Sequence, residues 1–577
     1  MMNTRFAQRI AVLLAMLVTV GACGDREQAA TSALSSTGSL LRYVPADTPY
    51  VAATAGDVPD DLADKMEPIV DKALAAYHDL LQALAANAAG APQESEESGF
   101  PAEAESLIGG LERLMSVQGL RDAGIDRDSD FAVYGVGLLP VLRISLTDGD
   151  LMRSVIDQLE TDAGKEMTLA SIGNEQYRYV EDEEVRLIVA VFGNELVMAL
   201  APTALADADL SRLLGITLPE ENIATAGTLS AAAERHGLSD YMIAMIDFER
   251  LAATFIDAPT GINAELLSLM QYDASVLNDT CKNEIRSIAS IMPRAVSGYT
   301  EMTVSRIASK LVVELRQDVA TGLATISGAV PGLGTRQGGL LSFGVSIDPL
   351  AAREFYTTQL DKLEAEPYQC ELLADLQATA AAGRGVLNQP VPPIVYGIKG
   401  FLAVIDDMSG FAPANFVPPA DINMRFMLAI DNPEGLLAMG TMFSPELAAL
   451  DLGPDGVPVR LDMAQIAATG NSVHLAMSDS ALALAVGDGA EVGLPGMLAA
   501  EIAEQSPIMS MDMDSGRYYQ MIGNAMAGDD QFDQLPEVKV AVEELNGISM
   551  ALLDRVSFDI FLTSQGIEVL SDAALKP

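Results

Sequence analysis

Along much of the chain, short runs in which apolar residues alternate with small or polar ones give way to an aspartate and then to helical spacing. The signature ends at Asp57 (PYVAATAGD), Asp148 (VLRISLTD) and Asp247 (YMIAMID), and returns at Asp348 (LSFGVSID), Asp431 (MRFMLAID) and Asp514 (IMSMDMD). A period of two marks a strand with two unlike faces. The segments LMRSVIDQLE and LAAREFYTTQLDKLE, which follow Asp148 and Asp348, carry the 3.6-residue spacing of an amphipathic helix. An aspartate at such a junction accepts hydrogen bonds from the unpaired N–H groups of the first helical turn and sits at the positive end of the helix dipole. We therefore read the six aspartates as caps and not as a ring of ligands.

Three units fall in each half of the chain. Val189–Leu205 (VAVFGNELVMALAPTAL) is similar to Ile466–Leu482 (IAATGNSVHLAMSDSAL), with Gly193-Asn194 and Gly470-Asn471 placed as hairpin turns between strands. The closing runs SRIASKLVVELRQD, from Ser305, and DRVSFDIFLTSQG, from Asp554, both read as strand. The pattern predicts an α+β fold: a duplicated body of repeated strand-helix-hairpin units, forming antiparallel or mixed sheets flanked by helices. The first half spans residues 41–329 and the second 340–577, joined through the Gly-rich VPGLGTRQGG. Residues 85–106 form a low-complexity acidic insert in the first half, and 527–536 a shorter one of the same kind in the second.

The first residues break this pattern. Arg5 and Arg9 precede an uncharged apolar run, Ile10 to Val20, too short for the roughly 20 residues of a spanning helix. It ends in Val20-Gly21-Ala22-Cys23, which resembles the lipobox of bacterial lipoproteins. The resemblance implies a signal peptide over 1–22, cleavage before Cys23, and a diacylglycerol thioether with an acylated new amino terminus. Several acyl chains anchor stably where one is marginal. Residues 23–40 then read as a flexible tether. Gly24 follows the cysteine and Asp25 comes one place later, so the Asp that resembles an inner-membrane retention signal is missing from the position after Cys23. We expect attachment to the outer membrane, facing the periplasm.

Composition narrows the partners. A chain of 577 residues with 49% hydrophobic and 20% charged residues buries a core. Its net charge of −47 disfavours nucleic acid and anionic lipid surfaces, which need clustered Lys or Arg. With Cys23 lipidated, Cys281 and Cys370 remain in a compartment that favours disulfides. A bridge between them would contribute about 4–5 kcal/mol in the chain-entropy model. It would be structural, because no CxxC spacing poises it for exchange.

Candidate chemistry is thin. The three histidines, His78, His236 and His474, have no second His or Cys at ligand spacing, so no metal site is expected, and each reads as a surface or rim residue. Asp126, Asp128 and Asp130 start like a calcium loop, but Phe131 replaces the turn glycine and Gly137 the bidentate acid, leaving a solvated turn before FAVYGVG. The glycines of GVGLLP read as a bend within a strand and not as a phosphate loop. Glu181 to Glu184 crowd a hairpin tip. No catalytic residues or cofactor are assigned.

The start of the body, LLRYVPADTPYVAA from Leu40, resembles a group of uncharacterised proteobacterial lipoproteins in which a PADTP-type segment opens a long α+β periplasmic body. FAVYGVGLLPVLRISL and CKNEIRSIASIMPRAVSGYTEM are similar to that group as well. The resemblance implies a periplasmic body and transfers no catalytic residue. The leading expectation is a lipid-anchored, non-enzymatic envelope protein that binds or scaffolds a periplasmic protein or an apolar ligand, for which 27 methionines suit an adaptable surface. The alternatives are a periplasmic hydrolase assembled from scattered acids and hydroxyls, and a carrier of lipid or lipoprotein.

Overall fold

The computed structural model describes residues 40–90, 112–409, 421–461, 471–527 and 536–577, apart from Ala55, Glu183 and Ala258. The signal segment with Cys23, most of the acidic insert and most of the 527–536 loop lie outside them. The fold is α+β, and every strand pairing with a defined register is antiparallel. The described residues divide into two compact units. One covers residues 40–311 and takes back 536–548, and the other covers 312–527 and 549–576. No described helix is long and apolar enough to cross a membrane.

The first unit holds β1 (Tyr50–Thr54), β2 (Phe131–Val136), β3 (Leu139–Ser145), β4 (Thr168–Ile172), β5 (Glu175–Glu181), β6 (Val185–Phe192), β7 (Glu195–Pro202), β8 (Met242–Asp247), β9 (Arg294–Thr303) and all but the last three residues of β10 (Arg306–Glu314). Pairing places them in the order β4-β5-β6-β7-β3-β2-β1-β8-β9-β10. The second unit holds β11 (Leu341–Ser346), β12 (Ile398–Ser409), β13 (Asp421–Ile430), β14 (Val459–Arg460), β15 (Val473–Met477), β16 (Ala481–Val486), β17 (Met509–Asp514), β18 (Leu553–Thr563) and β19 (Gly566–Leu575). Their order is β14-β15-β16-β13-β12-β11-β17-β18-β19. Read strand for strand, this is the first order again without β4. The duplicated plan is therefore a property of the topology as well as of the strand-end aspartates.

Two pairings differ from those expected. The β6–β7 turn at Gly193-Asn194 corresponds to the turn between β15 and β16, where Ser478 N donates to Ala481 O (2.9 Å), and not to Gly470-Asn471, which precedes β15. Gly470 itself lies outside the described residues. By position in the order, β18 matches β9 and β19 matches β10, so the run from Ser305 and the run from Asp554 belong to different places in the plan. Apolar alternating strands align with one another in any register, and only the hydrogen-bonded ladder separates the choices.

Strand-end aspartates cap as expected at four of six junctions. Asp148 accepts from Asp150 N ahead of α1 (Gly149–Ala163), Asp247 from Arg250 N ahead of α2 (Phe248–Ile256), and Asp514 from Arg517 N ahead of α3 (Ser515–Ala527). Asp348 accepts from both Leu350 N and Ala351 N at 3.0 Å, ahead of the helix Pro349–Ala365. The other two depart. Asn432 caps the helix Pro433–Thr441 by accepting from Gly435 N (2.8 Å), and Asp57 stands before a helix that begins only at Asp60. Freed from capping, Asp431 faces Lys399 Nζ at 3.4 Å, and the same ammonium bonds Asp348 at 2.8 Å. Burial pushes the Asp348 carboxyl up, but Lys399 and the two backbone N–H groups outweigh it and hold the group below the usual carboxylate range.

Each unit buries one sheet face under its own loops and helices, and the first covers part of the other face as well. In the first, Val51, Ala132, Val141 and Val197 meet Leu210, Leu214 and Leu229, while α1 covers Leu142, Ile144 and Leu196 on the opposite face. In the second, Leu402, Val404, Met427 and Ala483 meet Val330, Leu333 and Leu494. The Gly-rich VPGLGTRQGG segment thus contributes Val330 and Leu333, at 0% and 1% exposure, to the core of the second unit. Its approach needs a bare strand: a Cβ on Gly344 of β11 would lie 2.5 Å from Leu333 Cδ1.

Asp348→Ala should lower the unfolding free energy by about 0.5–2 kcal/mol, read from the urea midpoint, because it removes the cap. The pH sign follows from the depressed carboxyl. Its contribution is complete above the unfolded pKa of about 3.9 and is lost as pH falls through the lower folded value. Acid titration of Asp348→Asn should therefore lack that loss, and a wild-type acid limb identical to the variant's would refute the assignment.

Candidate functional site

Polar groups converge at one place in the first unit. Arg143, on β3, is 1% exposed although its strand neighbours Leu142 and Ile144 are apolar. A buried cation requires a partner and satisfied donors. Glu195, the first residue of β7, supplies Oε2 at 2.5 Å from Nη1, and the Leu214 carbonyl accepts from Nη2 at 2.7 Å. The Arg143 guanidinium lies over the Tyr43 ring, 3.6 Å from its centroid, a cation–π contact. Glu195 Oε1 in turn accepts from Arg42 Nη2 (2.8 Å) and the Tyr43 hydroxyl (3.1 Å). Gly215 closes the back: its φ is +70°, and a Cβ there would stand 2.4 Å from Arg143 Nη2. The Tyr134 hydroxyl and Arg143 Nε are buried without a hydrogen-bond partner, and burial pushes that hydroxyl up against the opposing pull of Arg143.

A cleft of about 440 Å³ opens beside this cluster, lined in part by Leu40, Arg42, Asp130, Ser145 and Asn194. Its groups are already engaged. Ser145 Oγ accepts from Asp130 N at 2.7 Å, and Asn194 Oδ1 accepts from Gly149 N at 3.1 Å. The cluster is a clamp that fixes residues 40–44 to the sheet.

The second unit offers a different surface. Three successive rungs across β18, β17, β11, β12, β13 and β16 place only apolar side chains on one face. The middle rung runs Phe558, Met511, Phe343, Ala403, Phe426, Leu484, and the rungs on either side add Met509, Phe401, Met513 and Met424. Phe401 stacks on Phe426 with centroids 5.7 Å apart, and Phe343 lies 5.9 Å from Phe401. All of these residues are partly exposed, Leu484 packing also on the buried Leu461, Val473 and Leu475, while the small residues of the opposite face, Ser342, Gly344, Ser346 and Ser510, are buried. The equivalent rung of the first unit reads Ser297, Ala244, Ala52, Val133, Leu142, Met198. The shared plan therefore does not require aromatic or sulfur side chains there. A contiguous, accessible apolar surface marks a place of interaction.

Residues singled out by sequence fall elsewhere. Cys23 lies outside the described residues. Cys281 and Cys370 are both disulfide-bonded and buried. His78 and His236 are buried, at 9% and 4% exposure, which corrects their reading as surface or rim residues: His78 packs within its helix against Gln82, and His236 ends its helix on the same buried face as Leu229, Ala232 and Ala233. His474 is half-buried, with Nδ1 3.7 Å from Glu491. Asp126 forms a turn, accepting from Asp128 N (3.0 Å). In GVGLLP, Gly137 takes φ +57° at the β2–β3 hairpin, a turn and not a bend within one strand. Asp182 caps the hairpin between β5 and β6. Among the described residues no three His, Cys, Asp or Glu side chains gather to hold a metal ion. Neither the clamp nor the apolar face could be located from sequence, although the alternation of LSFGVS and IMSMDMD carries the second in outline.

No family model, curated protein or solved structure matches the chain.

Removing one partner of the buried pair should be costly. Arg143→Met is expected to lower stability by about 3–5 kcal/mol, and Arg143→Met with Glu195→Leu to recover most of that loss, as buried ion pairs replaced whole by apolar groups do. Denaturant unfolding of the three proteins decides it; a double variant no better than the single would show that Glu195 serves Arg42 and Tyr43 more than Arg143.

Proposed function

We propose that this chain is a lipid-anchored envelope protein that binds an apolar ligand on the half-exposed sheet face of its second unit. The observation that carries the reading is the continuous run of Phe, Met, Leu, Ile and Val over three rungs. Methionine and phenylalanine suit a surface that adapts to ligands of varied shape. The sequence supplies the location: Arg5 and Arg9, the apolar run and Val20-Gly21-Ala22-Cys23 direct export and lipidation. The disulfide-bonded state of Cys281 and Cys370 accords with an oxidising compartment such as the periplasm. The lipid at Cys23 holds the protein at the outer membrane, and the binding face lies in the folded body.

Two measurements test this. Cys23→Ser should move the protein from the membrane fraction to the soluble fraction, and a variant still sedimenting with membranes would contradict the anchor. A fluorescent fatty acid should bind the purified protein, and Phe343→Ser with Phe426→Ser should weaken that binding at least about tenfold, the factor that 1.4 kcal/mol carries. Leu169→Ser, at an exposed leucine of the first unit, serves as the control. Equal binding by the double variant and the control would end the proposal.

A further inference from the structure

We propose that neighbouring pairs among Met509, Met511 and Met513, with Met511 common to both, form a two-thioether site for a soft monovalent metal ion, Cu(I). The three stand at alternate positions of β17, so their side chains leave one face of the sheet about 6–7 Å apart along the strand. An unbranched side chain with three rotatable bonds brings neighbouring sulfurs together across that spacing. All three residues are half-exposed, so an ion can reach them.

What borders the row suits a soft ion and excludes hard ones. The rung neighbours are Leu341, Phe343 and Val345 on β11 and Val556, Phe558 and Ile560 on β18, none of which offers an oxygen or nitrogen side-chain ligand. Thioethers select Cu(I), whereas Mg²⁺, Ca²⁺ and Mn²⁺ demand oxygen. Phe343 and Phe558 flank Met511 in its rung and keep its surroundings apolar. The chain's net charge of −47 raises the local concentration of cations.

The duplicated plan provides an internal comparison. The same three positions of β8 carry Met242, Ala244 and Ile246. An apolar side chain of any size therefore satisfies the fold there, and packing alone does not call for sulfur three times over. Methionine as an adaptable filler is the competing explanation, and it predicts that leucine serves equally well.

The full-length purified protein, with its disulfide intact and kept anaerobic under ascorbate, is titrated with Cu(I) against the chromogenic chelator bicinchoninate. Wild type should retain one chelator-resistant equivalent that Met509→Leu/Met511→Leu/Met513→Leu lacks. Met439→Leu/Met442→Leu, which removes two exposed thioethers elsewhere, should keep it. The triple variant should also keep the wild-type urea midpoint, and Phe426→Ser, three strands away from β17, should weaken fatty-acid binding yet keep the copper equivalent, which separates this site from the apolar-ligand reading. If the triple variant does not fold, Met511→Leu alone should weaken retention. Equal copper retention by wild type and the leucine variants, or no retention by wild type, overturns the site.

Discussion

The second unit depends on how close a loop can come to a strand. Leu333 lies on β11 at Gly344 and Val330 lies on β12 at Gly400, and any Cβ at Gly344 would collide with Leu333. Because dispersion and solvent exclusion both require contact, the small face becomes the buried one. Leu341, Phe343 and Val345 then have no place in that core and turn the other way. The choice propagates: registers across β12, β13, β16, β17 and β18 place every bulky partner of these residues on the same half-exposed face. One intimate contact thus sets the character of a surface six strands wide.

This also explains what could be read in advance. Caps and alternation are local, so Asp148, Asp247, Asp348 and Asp514 carry their role within a few residues of sequence. Alternation says that a strand has two faces but not which will be covered, and the ordinary presumption that the larger apolar face is inside fails for β11 and β17. The turn at Gly470-Asn471 misled for a related reason: strands rich in Ala, Leu and Val align in several registers, and the true partner turn, near Ser478, has no Gly-Asn to announce it. Arg143 and Glu195 are joined only through the β3–β7 ladder, and nothing in the local sequence of either marks a buried charge.

The two units share a strand order and differ in what they place on it. The first fills the middle rung with Ser297, Ala244 and Ala52 where the second has Phe558, Met511 and Phe343. A backbone plan that tolerates both sets leaves the face free to vary while the order and pairing of the strands stay fixed. Function on such a scaffold resides in side chains grafted onto it and not in the architecture.

The clamp around Glu195 has a mechanical meaning. Leu41 and Val44 are buried, and Arg42 and Tyr43 between them grip the start of β7. Any force transmitted along the chain from before residue 40 enters the folded body here and is shared among two guanidiniums, a phenol and one carboxylate before it reaches the β3–β7 ladder. An attachment secured by several charge-assisted bonds yields only when they break together, so a pull on the preceding chain would be absorbed at the rim and not in the interior.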